Sequence, residues 1–272
     1  MVVILSILVI PIGMTGKKKW KVPVSLCINL LGLNGATQSG CLRSYVDMTA
    51  FFRYPHTPHL AWMGEVSPRD DKVLSSSEAT VLLAGDVVVE EKVDGANVGL
   101  SLAPDGSLRA QNRGQYLVEP HAGQFARLPA WLAQHGEGLR SALTPNLMLF
   151  GEWCAARHSL DYAALPDWFL LFDVYDRSEC RFWSSERRNA LASTLGLSTV
   201  PRLLEGRCTL AQLKEVLSCQ QSQFRQGALE GMVIRRESAQ WCDARAKLVR
   251  PDFTQTITEH WSRRRIEWNR IG

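Results

Sequence analysis

Asp86-Val87-Val88-Val89-Glu90-Glu91-Lys92-Val93-Asp94-Gly95-Ala96-Asn97 begins as a β-branched run, turns polar, and ends in a lysine followed by Asp-Gly. The β-branched start predicts a strand over 86–92, and Gly95 predicts a sharp turn just beyond it. A lysine is a poor nucleophile at its reference pKa of about 10.4, so a catalytic role needs neighbours that depress it. On its own Lys92-Val93-Asp94-Gly95 is a weak signal. A chain of this length meets KxDG by chance roughly once in twenty, and a surface strand end entering a turn would explain it.

The surrounding segments change that reading. Residues 96–103 and 107–111 flank Pro104-Asp105-Gly106 and predict a hairpin. Phe125, Leu128, Trp131 and Leu132 recur at helical spacing, predicting an amphipathic helix that Gly136 ends. Strands are expected over 146–153 and 168–175. Ser184-Ser185-Glu186 and Thr209 are expected to cap two helices. Strands return at 230–236 and 245–249, and a basic helix is expected over 254–270. Strands and helices mixed without regular βαβ alternation argue for an α+β fold with largely antiparallel sheets, not a Rossmann fold.

Five of these strand ends carry functional groups. Asn112-Arg113-Gly114 sets a guanidinium beside a glycine that permits close backbone approach. Phe150-Gly151-Glu152-Trp153 closes an apolar strand with a carboxylate, and Phe172-Asp173-Val174-Tyr175 places an aromatic next to an acid. Glu230-Gly231-Met232-Val233-Ile234 opens a strand with a carboxylate. Arg245-Ala246-Lys247 puts two cations on one strand face, with Arg250 beyond. Each alone is usually a solvated strand end. Together they provide a stacking face, a ribose acceptor, a metal carboxylate and phosphate cations, which is what a nucleoside triphosphate site requires.

In the order KxDG, RG, FGEW, FDVY, EGxV and a terminal basic strand, the chain resembles the covalent nucleotidyltransferases. These comprise ATP- and NAD-dependent polynucleotide ligases and GTP-dependent mRNA capping enzymes. It is most similar to the ATP-dependent RNA ligases through Lys92-Val93-Asp94-Gly95-Ala96-Asn97, Asn112-Arg113-Gly114 and Phe150-Gly151-Glu152-Trp153. The resemblance covers about residues 51–253. It implies a nucleotidyltransferase (ATP-grasp-like) fold of two antiparallel sheets flanked by helices, with the AMP pocket between them. It further implies that Lys92 forms a lysyl-AMP phosphoramide from ATP and that Glu91 lies beside the adenine. Asn97 and Arg113 would contact AMP or the RNA terminus, Glu152 the ribose, and Phe172 would stack on the base. Phe169, on the same strand, is the alternative ring. Glu230 would hold Mg²⁺ or Mn²⁺, and Lys247 with Arg245 would grip the phosphates, Arg245 standing where the family often has lysine. Lys247, Arg113 and the metal would disfavour a protonated Lys92. The implied partners are RNA 5′-phosphate and 3′-hydroxyl ends. A GTP-using capping-type enzyme, a DNA-joining enzyme, and a retired nucleotide- or RNA-binding domain are the rival readings.

The remaining features are bland. The chain has 272 residues, 46% hydrophobic and 21% charged, with a net charge of +4, ordinary for a globular domain and only mildly suited to a polyanion. Its seven cysteines show no CxxC or zinc spacing and are read as reduced thiols of a cytoplasmic protein. Residues 1–47 are expected to be an extension of doubtful role with Met48 as the true start, a short anchor or targeting segment and a structural arm being the alternatives, ahead of a stand-alone domain over 48–253 with no OB-fold. A basic C-terminal helix over 254–272, carrying Arg263, Arg264, Arg265 and Arg270, would follow. The apolar start is too short to span a bilayer. His56 and His59 are expected in a loop leading into the fold, and Arg157 to Tyr162 near the site. Most of the nine tryptophans are expected in the core.

Overall fold

Strands β1 (Val87–Lys92) and β2 (Ala96–Leu102) are separated by three residues yet belong to different sheets. The computed structural model describes residues 50–65, 72–255 and 265–272. Before β1 comes helix α1 (Ser76–Leu82). After β2 follow β3 (Leu108–Gln111), α2 (Leu128–Ala142), β4 (Leu147–Trp153), β5 (Phe169–Asp176), β6 (Arg181–Phe182), α3 (Ser185–Leu195), β7 (Ser198–Thr199) and β8 (Arg202–Gly206). The chain continues through α4 (Leu210–Cys219), β9 (Gly231–Glu237), β10 (Cys242–Val249) and the short α5 (Pro251–Gln255). One sheet has the order β10-β9-β1-β8, all antiparallel. The other runs β3-β2-β4-β5-β6, antiparallel, with β7 added parallel to β5. This is the expected α+β architecture of two antiparallel sheets.

Period-two alternation decides which face of each sheet is covered. Val87, Val89, Met232, Ile234, Ala246 and Leu248 pack against Leu82 of α1 and Leu213 and Leu217 of α4. On the other sheet, Val98, Leu100, Leu149, Phe169 and Leu171 pack against Leu128, Trp131 and Leu139 of α2 and Ala192 of α3. Each such side chain contributes about 1.5–3 kcal/mol when fully buried. The helices therefore lie outside, and the alternate strand positions line a cavity shared by both sheets.

Local signals set most of the boundaries. In the β2–β3 turn, Asp105 accepts from Ser107 N at 2.9 Å, and Gly106 takes a φ of +81°. Ser184 and Thr209 accept from Arg187 N and Gln212 N and cap α3 and α4, as expected. Helix α1 was not expected, although Ser75-Ser76-Ser77-Glu78 is a capping box and forms one. The expectation that Gly136 ends α2 is wrong. The apolar stripe continues through Leu139 to Leu143, and its burial outweighs the roughly 1 kcal/mol cost of a helical glycine. The C-terminal expectation also changes. The described part of α5 ends at Gln255, and residues 265–272 are extended, pairing Trp268 with Ala156 and Ile271 with Leu165. Residues 1–47, Arg263 and Arg264 lie outside the described residues. His59 is buried and bridges the β10 edge beside Lys247, as a loop entering the fold should.

Candidate active site

The motif around Lys92 is the crossover between the sheets. Pairing of β1 with β9 sets Lys92 opposite Gly231, which brings Glu230 alongside, and Lys92 Nζ donates to Glu230 Oε1 at 2.6 Å. Asp94 anchors the turn: its carboxylate accepts from Ser159 N (2.7 Å) and Leu160 N (2.8 Å), and its amide donates to Tyr162 Oη (2.8 Å). At Gly95 a Cβ would lie 2.6 Å from the Trp153 carbonyl oxygen, so the crossover can pass the end of β4 only as glycine.

A cavity of about 650 Å³ opens there. Glu91, Lys92, Asn97, Arg113, Glu152, Phe172 and Lys247 all line it, and Glu230 sits directly behind Lys92. Asn97 and Glu152 are register partners on β2 and β4. Lys247, Val233 and Glu90 form one row across β10, β9 and β1 on the inner face. Glu91 Oε1, Asn97 Oδ1, Arg113 Nε and Glu230 Oε2 are buried without a hydrogen-bond partner. Buried polar atoms are rarely left so, and their concentration here marks a site built for a polar ligand.

The electrostatics differ from expectation in one respect. Burial alone would lower the Lys92 pKa, but the carboxylates of Glu230, Glu152 and Asp94 reverse this and hold it above its ordinary value. The depression expected from Lys247 and Arg113 does not arise in the protein alone, because the acids are the nearer neighbours. Burial pushes Glu152 up to about 8 and Glu230 up to about 7, with Lys92 pulling both back. Glu91 is also raised by burial, opposed by Ser222, Gln223 and Arg225.

These shifts predict a pH dependence. A carboxyl whose folded pKa is raised holds a proton that the unfolded chain has released. Stability is therefore full below the unfolded value of 4.5 and falls as pH rises through about 7 and 8. Glu152→Gln mimics the neutral acid, so its melting temperature should rise relative to wild type between pH 5 and 9 at constant ionic strength. A difference independent of pH in thermal melts would show that Glu152 does not titrate in this window.

Strand alternation puts Phe172 and Phe169 on opposite faces of β5. Phe150 pairs with Asp173 and Gly151 with Leu171, which leaves Phe172 as the unpaired residue of a β-bulge. Its ring lines the cavity, while Phe169 is fully buried on the helix-covered face against Trp131. The bulged carbonyl of Phe172 accepts from Arg188 Nη1 at 2.6 Å.

Arg245, expected beside the phosphates, does not line the cavity. It shares the face of Lys247 but lies one row deeper, where β5 presents Asp173. Its Nη1 is 2.9 Å from Asp173 Oδ2, and its guanidinium stacks on Phe182. It belongs to a buried network with Arg235, Arg188, Glu90, Glu237 and the Tyr54 hydroxyl, which ties the sheets together beneath the cavity.

The loop Arg157 to Tyr162 contributes His158 to the cavity wall, where its Nε2 lies 2.8 Å from Gln124 Oε1. This loop is clamped by Asn269, which accepts from Tyr162 N (2.9 Å) and donates to Cys154 O (2.8 Å). Neither Gln124 nor Thr57, a further lining residue, was singled out in the sequence. Thr57 stands in a loop and Gln124 in the single 3-10 turn Gly123–Phe125, both too short for any periodicity to mark.

A family model described as RNA ligase matches residues 85–249. Among solved structures, Naegleria gruberi RNA ligase with PPi is 20% identical, with 76% of this chain and 64% of that chain covered and a TM-score of 0.55. An apo variant of that enzyme is 17% identical, covering 78% and 59%, with a TM-score of 0.53. A variant with ATP and Mn is 19% identical, covering 66% and 54%, with a TM-score of 0.51. This chain thus spans about half to two thirds of the length of those structures, and at these identities the likeness is one of fold. No curated protein matches the chain. The matched segment begins just ahead of β1 and ends with the last residue of β10, so it contains both sheets and each cavity residue from Glu91 to Lys247. On that match, the chain belongs to the RNA ligase family.

Proposed function

We propose that this protein is an ATP-dependent RNA ligase acting through a covalent lysyl-AMP. The observation that carries this is Lys92 at the crossover of two sheets, facing a polar cavity with a carboxylate at 2.6 Å. Lys92 must lose its proton to water before it can react, and Lys247, Arg113 and a cation on Glu230 would favour that loss by offsetting the carboxylates that hold it. The freed amine attacks the α-phosphorus of ATP, the N–P bond forms, the α–β phosphoanhydride bond breaks, and pyrophosphate leaves. AMP then passes to an RNA 5′-phosphate, and a 3′-hydroxyl displaces it to form the phosphodiester. Phe172 offers the stacking face, Glu152 accepts from the ribose, Glu91 lies beside the adenine, and Asn97 and Arg113 contact AMP or the RNA end. Lys247 stabilises charge on the phosphates, while Arg245 supports the site from beneath through Asp173.

The residues present fit a divalent cation of the Mg²⁺ or Mn²⁺ type. Glu230 Oε2 is buried and unpartnered. Among the described residues no three His, Cys, Asp or Glu side chains converge as a ligand set. A single carboxylate completed by water and phosphate oxygens is how Mg²⁺ is commonly held, and when bound it neutralises charge on those phosphates. No described helix is long and apolar enough to cross a membrane. The described cysteines are free thiols, which suits a cytoplasmic setting.

The test uses the full chain with labelled ATP or GTP, and then with 5′-phosphorylated RNA or DNA beside a 3′-hydroxyl end. Adduct from ATP and sealing of RNA are expected. Adduct from GTP alone, or sealing of DNA alone, would overturn the reading. Within it, Lys247→Ala should slow adenylation by about 100-fold, the scale of one electrostatic stabiliser. Rapid-quench kinetics check this, and a change below about threefold would remove Lys247 from the phosphate site.

A further inference from the structure

Most described arginines with a structural role are paired with a carboxylate. Arg157 with Glu267, Arg181 with Asp243, Arg188 with Glu90 and Arg225 with Asp161 are examples. Arg187, which lies over Trp183 and Trp241, is different, and so is Arg127. It is half-buried and held by aromatic rings alone, its guanidinium carbon 4.8 Å from the centroid of Trp168 and 4.4 Å from that of Trp268. It forms no ion pair or side-chain hydrogen bond among the described residues. Two indoles fix the plane and direction of this cation while its N–H donors stay unclaimed. Such an arrangement offers a pre-organised fork to an anion, phosphate above all.

Its place in the fold says which phosphate. Arg127 follows Gln124 and Phe125, both on the wall of the nucleotide cavity. Trp268 pairs with Ala156, two residues before His158 on the same wall. Arg127 and Trp168 also border a second cavity of about 390 Å³, whose other walls include Trp131, His135 and Asp167. There Asp167 accepts from Trp131 Nε1 at 2.9 Å and lies 3.7 Å from His135 Nε2, so its charge is already engaged. Trp268 is 38% exposed, in the extended segment that also presents the exposed Arg265 and Arg270. An unclaimed guanidinium, an exposed indole and flanking cations beside a reaction cavity are the elements of a single-stranded nucleic-acid site.

We propose that Arg127 and Trp268 form a docking subsite for one nucleotide of the RNA strand being joined, next to its reactive end. Arg127 takes the phosphate and the outer face of Trp268 takes the base. The inference rests on the RNA ligase reading and deepens it.

The test measures binding of a 5′-phosphorylated RNA oligonucleotide to full-length protein across a salt titration, together with adenylation by ATP. Arg127→Ala should lower the slope of log K against log salt by about 0.7, the value for one phosphate on a single strand. Trp268→Ala should weaken binding about tenfold at unchanged slope. Adenylation should stay within about twofold of wild type in both, which separates the effect from misfolding. In a scan of abasic substitutions along the RNA, one position should cost wild type the same affinity and cost Trp268→Ala nothing further. If wild type seals RNA and both variants bind it as wild type does, the subsite is wrong and the ligase reading stands. If wild type adenylates but neither binds nor seals RNA, both fall.

Discussion

Lys92→Ala should abolish covalent labelling by ATP, with no residual adduct on denaturing gels. The loss should be complete because the reaction forms a bond to one atom. Lys92 stands at the crossover between the sheets, at the mouth of the polar cavity and 2.6 Å from Glu230. Lys247 lies on β10 of the same sheet, in the row of Val233 and Glu90. Lys92→Arg should be equally inactive, since a guanidinium stays protonated and cannot attack. The alanine variant should still fold, because Lys92 contributes one ion pair at a partly exposed position. Circular dichroism and mass spectrometry of the variant settle the matter. An adduct of one AMP on the alanine protein would falsify the nucleophile assignment.

Arg235→Met should destabilise the protein by about 3–5 kcal/mol, the range for breaking a buried charge pair from one side. For a domain of this size that lowers the melting temperature by roughly 10 °C. Arg235 is 1% exposed and stands at the centre of the network between the sheets. Its Nη1 donates to Asp173 Oδ1 at 2.7 Å, its Nε pairs with Glu237, and its Nη2 donates to Trp183 O at 3.1 Å. Methionine fills the volume of the stem but leaves these acceptors unserved. Asp173 keeps Arg245, and Glu90 keeps Arg188, so the loss should fall short of complete unfolding. Combining it with Asp173→Asn should be less destabilising than the sum, since the second change removes the charge that the first strands. Urea denaturation measures both, and a loss below about 1 kcal/mol would show that the remaining arginines suffice.

Local chemistry made several features legible in the sequence. The Val-rich start of β1, the Pro104-Asp105-Gly106 turn and the Ser184 and Thr209 caps act within a few residues, and each appears where the sequence places it. The same locality explains the errors. Gly136 is a helix stop only if nothing packs on the turn that follows, and Leu139 does. The basic C-terminal run has helical composition, yet residues 265–272 are extended because Asn269 finds its partners on the loop after β4. Strand β8 is five residues long and only half-buried, too short to show a pattern, and exists because β1 offers it an edge.

What the sequence by itself determined is the set of strand ends that carry Lys92, Arg113, Glu152, Glu230 and Lys247, and the α+β class that holds them. Period-two burial and turn chemistry are encoded residue by residue, so they survive without knowledge of the partner strand. Only the tertiary structure decided which side chains meet. The crossover at Val93-Asp94-Gly95 sends β1 and β2 into different sheets and so opens the cavity between them. A bulge opposite Phe150 and Gly151 lets Phe172 and its neighbour Asp173 both face that space. One row of separation along β10 leaves Lys247 in the cavity and buries Arg245 against Asp173. These outcomes depend on register between segments far apart in the chain, and a side chain's surroundings are set by that register rather than by its own neighbours in sequence.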